Sequence, residues 1–259
     1  MSEEDKSKSD FLIKIINLDR RKDRMDTMLE NLEKTSFRDY PIERFSAING
    51  IDLMEDIKTK NLDNDIIWKI FSGLKKSDIP KGQLGCFLSH YFLMKKIWLD
   101  STIDLNQMII IMEDDVHFSK NNYSEEISDI INFDKTNMFD LIYISGRFQK
   151  NFTCNNEKMY KKETSFIFKR LNGRGHAWDR TTNSFIIKKK SVPIILDFFI
   201  KFLQERFEPV DCIFLRSSIM KYDVFPHLFY SPMNYSTDIQ GKHIRDTINI
   251  NEFQQFIKN

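Results

Sequence analysis

The sequence predicts an α/β fold built on a mostly parallel central sheet flanked by helices, and three observations carry that expectation. Strand-like apolar runs alternate with amphipathic helical stretches in the order β, α, β, α, β, α, β up to residue 145, the order of crossover units laid on a parallel sheet. The run at 108–112 places Ile109, Ile110 and Ile111 back to back, which reads as a central strand covered on both faces. Three consecutive carboxylates, Glu113, Asp114 and Asp115, follow it directly. They fall at the carboxyl edge of the strand, where open α/β sheets bind their ligands.

Each element has its own justification. Residues 11–18 form a first strand, with Asp19 as the expected N-cap of the next helix. Met25, Met28, Leu29 and Leu32 recur at helical spacing and mark the expected buried face of that helix. Residues 38–49 read as a second strand region ending in the turn Asn49-Gly50, and 51–77 as a polar, weakly helical, mobile insert. Pro80 opens a helix through about Leu99, with Leu84, Phe87, Leu88, Tyr91 and Trp98 along one side. The carboxylate-tipped strand comes next, then a helix near 125–131 and a strand at 139–145. Residues 150–180 are polar around Gly173-Arg174-Gly175 and are expected as an irregular flap or an extra hairpin. A short strand at 184–187, helices at 192–203 and 210–221, and a returning strand at 222–225 precede a polar tail.

With 259 residues, 41% of them hydrophobic and 23 of them Phe, the chain carries ample core material. Residues 1–10 are expected as a disordered tail and 11–259 as one domain. Lys and Arg total 39 against 38 acidic residues, a balance that removes the electrostatic case for nucleic acid as partner. Cys86, Cys154 and Cys212 are odd in number and far apart, which suits a reducing compartment and shows no zinc-ligand spacing. The start of the chain lacks the pattern of a secretory signal and no stretch is long and apolar enough to span a bilayer. The expectation is a soluble cytoplasmic protein, or one of the host cytoplasm or virion if the source is viral. Self-association into a homo-oligomer is left open by the sequence.

Oxygen donors such as the 113–115 cluster suit Mg²⁺ or Mn²⁺, which keep positions open for substrate phosphates. On an extended strand Glu113 and Asp115 point to one side and Asp114 to the other, so one pair is expected at the metal. His117 shares the side of that pair and is either a third ligand or a packed ring. The second feature is basic. Arg20, Arg21, Lys22 and Arg24 crowd the first turn of the first helix, where the helix end is already positive and cations are unfavourable unless an anion is bound. A metal cluster and an anion seat at one sheet edge describe a nucleotide site, and with eight glycines and no Gly-Lys-Ser/Thr element the chain lacks a phosphate-binding loop.

Three motifs in order carry a resemblance: Asn17-Leu18-Asp19-Arg20 with Arg24, then Gly82-Gln83-Leu84-Gly85-Cys86-Phe87-Leu88-Ser89-His90, then Glu113-Asp114-Asp115-Val116. Together they resemble the signature of glycosyltransferase family 25, which includes bacterial lipopolysaccharide galactosyltransferases and collagen hydroxylysine galactosyltransferases. The clear match runs over residues 11–145. The resemblance implies a GT-A (Rossmann-like) fold, a UDP-sugar donor such as a UDP-hexose, Mn²⁺ (or Mg²⁺) as cofactor, and transfer of the sugar with inversion to a glycan, lipopolysaccharide or glycoprotein acceptor. Carried over by position, Asn17, Leu18 and Arg20 would border uridine and diphosphate, Arg24 would reinforce the anion seat, and Ser89 and His90 would lie beside the donor. Glu113 and Asp115 would hold the metal and Asp114 would contact the ribose or sugar. Asp211, in Pro209-Val210-Asp211, would be the catalytic base, although an acid in the first turn of a helix is also favourable through the helix dipole alone. Trp178, Thr181 and Thr182 fall where the family places acceptor or sugar contacts, and His227, Asp238, His243 and Asp246 could complete the metal shell or order a tail. The chain departs from the family at Arg21-Lys22, where proline is usual, and at Asn183, where glycine is common.

Two rivals come from other classes. Clustered carboxylates also build two-metal phosphohydrolases and nucleases, and a transferase fold can persist as an inactive carbohydrate-binding scaffold.

Overall fold

The structure is a computed structural model and describes residues 9–74, 78–136, 139–147, 160–170, 181–203, 207–231 and 247–258. Along the chain it forms β1 (Phe11–Asn17), α1 (Lys22–Glu33), β2 (Ile42–Ser46), α2 (Leu53–Thr59), α3 (Asn64–Phe71), β3 (Asp78–Pro80), α4 (Lys81–Leu99), β4 (Met108–Glu113) and β5 (His117–Phe118). Then follow α5 (Ser124–Thr136), β6 (Leu141–Tyr143), β7 (Ser145–Arg147), β8 (Tyr160–Lys162), β9 (Ile167–Arg170) and β10 (Ser184–Lys188). The last elements are α6 (Val192–Leu203), α7 (Val210–Arg216), β11 (Lys221–Val224), β12 (Phe229–Ser231), β13 (Thr247–Asn249) and α8 (Ile250–Lys258).

The central sheet has eight strands in the order β2-β1-β4-β10-β6-β11-β9-β8. β1 pairs in parallel with both β2 and β4, and β6 with β11. β10 lies antiparallel between β4 and β6, and β9 antiparallel beside β11. The sheet is therefore mixed, with most strands in one direction, consistent with the expected Rossmann-like GT-A architecture. The expected flap is partly a hairpin, since β8 and β9 pair antiparallel at the sheet edge. Residues 150–159 and 171–180 of that segment, with Cys154 and Trp178, lie outside the described residues.

Side-chain alternation divides the core into two layers. Ile109 and Ile111 of β4 face one cluster with α3, α4, α6 and α8, while Met108, Ile110 and Met112 face the other with α1 and α5. Burying each such side chain contributes about 1.5–3 kcal/mol, so β4 is anchored from both faces. α4 is buried nearly all round, from Leu84 to Met94 and again at Ile97, as expected of a helix enclosed by a sheet and other helices. Trp98, expected on the buried side, is instead 39% exposed at the end of α4. Leu29, expected on the inner face of α1, is likewise exposed, leaving Met28 and Leu32 as the buried pair.

The expected mobile insert is a packed subassembly through residue 74. Leu53 and Ile57 of α2 and Ile67, Ile70 and Phe71 of α3 are buried. α8 closes over α3 with Ile250, Phe253 and Ile257, and Phe253 meets Phe71 edge-on with ring centroids 5.4 Å apart. The expected polar tail thus carries a strand, β13, paired with β3, and a core helix. Ser9 and Asp10, assigned to the disordered tail, are tied down by Gln107, whose Nε2 donates to both their carbonyls. Among the described residues no helix is long and apolar enough to cross a membrane.

Candidate functional site

Register brings the carboxyl ends of three parallel strands level. Asn17 pairs opposite Ser46, and Ile16 opposite Glu113, so the ends of β1, β2 and β4 open on one cleft. The cleft is open to solvent on one side and encloses a cavity of about 90 Å³. Leu18, Arg20 and Arg24 form one wall, Ala47–Ile51 a second, Gly82, Cys86, Ser89 and His90 of α4 the floor, and Glu113, Asp114 and Asp115 the far side. Of the residues singled out from sequence, Leu18, Arg20, Arg24, Ser89, His90, Glu113, Asp114 and Asp115 all line it. Asn17 and Asp211 are not among its described lining residues.

Two glycines let the second wall meet the floor. A Cβ on Gly85 would lie 2.6 Å from the Gly50 nitrogen and 2.7 Å from the Ile48 carbonyl, and one on Gly50 would collide with the Lys81 carbonyl. Backbone packs on backbone here, which is why side-chain-free residues are required. Ser89 sews the contact, its Oγ donating to the Gly85 carbonyl and accepting from the Ile48 amide at 2.8 Å. Its hydroxyl is committed to holding the wall.

The acidic cluster does not continue the strand. β4 ends at Glu113 and the chain turns at Asp114 and Asp115, so the expected alternation fails at this point. Asp114 and Asp115 both approach Arg24, whose Nη1 lies 3.3 Å from one and 4.0 Å from the other. Asn17 donates its amide to Asp114 at 2.7 Å and accepts from Arg44, standing behind the wall as a bracket between β1, β2 and the turn. Glu113 turns the other way, to His90 Nε2 at 2.9 Å and the Cys86 sulfur at 3.9 Å.

Burial sets the electrostatics. It pushes the Asp115 carboxyl up to about 7, with repulsion from Glu113 and Asp114 adding and Arg24 opposing. Asp114 is raised by burial too, offset by Asn17 and Arg24. Burial, then the charges of Glu113, Asp211 and Asp115, hold the Cys86 thiol well above its ordinary value. Asp115 Oδ1 is buried with no hydrogen-bond partner among the described residues. An orphaned carboxylate oxygen beside two further acids is a donor set that fits a hard divalent ion.

The basic cluster divides. Arg20 and Arg24 face the cleft, whereas Arg21 caps α1 without a side-chain bond and folds onto Asp23, and Lys22 is exposed. Asp19 is not the helix cap. It joins Arg44, Ser46 and Lys60. Partial burial works to raise its carboxyl, but these three hydrogen bonds prevail and hold it far below the usual range.

His117 lies on β5, its ring 5.6 Å from that of Tyr230, a packed position in the small sheet β5-β12-β7. Asp211 sits in the first turn of α7 and accepts from the Cys212 amide at 3.0 Å. Thr181 bonds Asn183 through its hydroxyl and Thr182 is buried, while His227 is partly enclosed beside Phe225. Asp238, His243 and Asp246 lie outside the described residues. Two lining groups have little signal in the sequence: the Asn49–Ile51 wall is marked only by its glycine, and Cys86 is one of three scattered cysteines, although Cys86 and His90 stand four apart on a helix, a spacing that puts both on one face.

The sequence model of glycosyltransferase family 25 (LPS biosynthesis protein) matches residues 12–214. The chain belongs to glycosyltransferase family 25. It is 29% identical over 134 residues to procollagen galactosyltransferase 2 of Homo sapiens, covering 51% of this chain and 20% of that one. It is 30% identical over 139 residues to the human inactive glycosyltransferase 25 family member 3, covering 53% and 22%. A protein of Acanthamoeba polyphaga mimivirus that carries the name glycosyltransferase is 26% identical over 234 residues, 90% of this chain and 65% of that one. The match thus spans only about a fifth of the length of the human relatives.

Proposed function

We propose that this family 25 chain is an inverting glycosyltransferase that moves a hexose, galactose or glucose, from a UDP-sugar to a hydroxyl of a glycan, lipopolysaccharide or hydroxylysine-type acceptor. One observation carries the reading: Arg20 and Arg24 share a cleft with Glu113, Asp114 and Asp115 at the joined ends of β1, β2 and β4. Cations for a diphosphate and acids for a divalent ion are what a nucleotide-sugar pocket requires.

In this reading Leu18 and the Ala47–Ile51 wall enclose the nucleoside, and the two arginines take the diphosphate. Asp114, steadied by Asn17 and Arg24, meets a hydroxyl of ribose or sugar. Mn²⁺ or Mg²⁺, held by Asp115 and by Glu113 once it turns from His90, would supply neutralisation of charge on the departing diphosphate oxygen. Asp211 is assigned as the base: the acceptor oxygen bonds to the anomeric carbon from the face opposite UDP, its proton passes to the Asp211 carboxylate, and UDP departs with the bonding pair. The cleft's contribution is to hold the two reactants in line.

The likeness to a relative named as inactive supports a second reading, a donor-binding protein without turnover. Incubating the protein with a panel of UDP-sugars and sugar or hydroxylysine acceptors, with and without Mn²⁺, and reading UDP release separates the two. The proposal expects metal-dependent release from a UDP-hexose. It expects Asp211→Asn to keep UDP affinity while losing about 10²–10⁴-fold in turnover, the usual contribution of a general base. UDP-sugar binding with no release from any acceptor would establish the second reading instead, and cleavage of phosphodiesters with no action on UDP-sugars would refute both.

A further inference from the structure

Glu113 faces away from its two acidic neighbours. Arg24 offsets Asp114 and Asp115, but no lysine or arginine pairs with Glu113 among the described residues. Its carboxylate instead meets Cys86 and His90, one turn apart on α4, and the donor atoms of the three lie within 4.8 Å of one another. The negative charges of Asp115 and Asp211 act on the same spot. Sulfur, imidazole nitrogen and one carboxylate oxygen are a softer set than the oxygens of the neighbouring turn, and softer sets select zinc over magnesium or manganese.

We propose that Cys86, His90 and Glu113 form a second cation site in the floor of the cleft, specific for a thiophilic divalent ion of the zinc class, and that filling it withdraws Glu113 from the nucleotide-sugar pocket. A tetrahedral zinc needs ligand atoms about 3.4–3.6 Å apart. The sulfur and carboxylate stand at 3.9 Å and the nitrogen and carboxylate at 2.9 Å, so the thiol closes in while the ring and carboxylate part slightly. The ion enters where Nε2 and the carboxylate share a proton. That proton moves to His90 Nδ1, which is buried and has no partner among the described residues, and the thiol proton leaves to solvent. Three protein ligands leave the fourth position open toward the cleft. The site itself stands on the geometry of these side chains; its inhibitory effect rests on the cleft being a UDP-sugar pocket.

Cobalt is the probe, because Co²⁺ bound to a thiolate absorbs in the near ultraviolet. Titrating the full chain with Co²⁺ should develop that band, and equimolar Zn²⁺ should discharge it. Cys86→Ser should abolish the band and weaken zinc at least about tenfold, His90→Gln should weaken zinc similarly, and Cys212→Ser and Asp115→Asn should retain the band. If circular dichroism shows Cys86→Ser misfolded, Cys86→Ala carries the same expectation. No band in the parent protein, or a band surviving loss of Cys86, overturns the site. Zinc should also raise the Mn²⁺ needed for UDP release. A band in a protein that turns over no UDP-sugar leaves the cation site standing and removes the proposed function, whereas turnover without a band does the reverse.

Discussion

Asp115 concentrates the electrostatic cost of the cleft in one side chain. Its carboxyl is raised to about 7 by burial and by its acidic neighbours, so the folded protein binds a proton there that the unfolded chain releases near pH 4. A group with a raised folded value lends stability that is full below the unfolded value and is lost as pH rises through the folded one. For the metal-free protein this contribution declines between about pH 4 and 7. Asp115→Asn should therefore stabilise the metal-free protein at pH 8 by on the order of 2–4 kcal/mol and leave it nearly unchanged at pH 4, as read from urea unfolding at the two values. Equal effects at both would show that burial does not govern this acid. Asp19 works in the opposite sense: its depressed value gives stability above the ordinary carboxylate range that is lost as pH falls through it, and at more than half exposure that amounts to no more than about 1 kcal/mol. The acids were legible in the sequence because three carboxylates after an apolar strand are rare. Their directions were not, because the turn at Asp114 breaks the alternation that an extended strand would have imposed.

At the scale of elements, the cleft depends on α4 approaching the loop after β2. Gly85→Ala would press a methyl against the backbone of Ile48 and Gly50, atoms that cannot rotate aside. The expected loss is about 1–3 kcal/mol, and UDP affinity should fall because Ser89 and the Ile48 wall separate. A variant with unaltered thermal unfolding and UDP affinity would contradict this. The glycine was visible in the motif, but its purpose needed Gly50, distant in sequence and adjacent in space. The same separation explains α3 and α8. Ile67, Ile70 and Phe71 have helical spacing, yet the polar residues around them read as an insert until Phe253, far along the chain, supplies the ring that covers Phe71.

For the molecule as a whole, the alternation of strands and helices was readable through residue 145, and the structure keeps it in β1, β2, β4 and β6. Beyond it the reading weakened. A five-residue apolar strand such as β10 has the same pattern in either direction, and its antiparallel course is decided by register against β4 and β6. That course brings the Asn183 carbonyl to the Glu113 amide at 2.7 Å, fixing the strand end from which the acids turn. The account's central claim is that this joined sheet edge holds a nucleotide diphosphate between Arg20, Arg24 and a cation on the acids. Calorimetric titration of UDP into the protein with and without Mn²⁺ tests it most directly. Binding should tighten at least about tenfold with the ion, a difference of about 1.4 kcal/mol, and Asp115→Asn should erase that gain while Arg24→Ala weakens binding under both conditions. UDP affinity that ignores manganese and both substitutions would contradict the account.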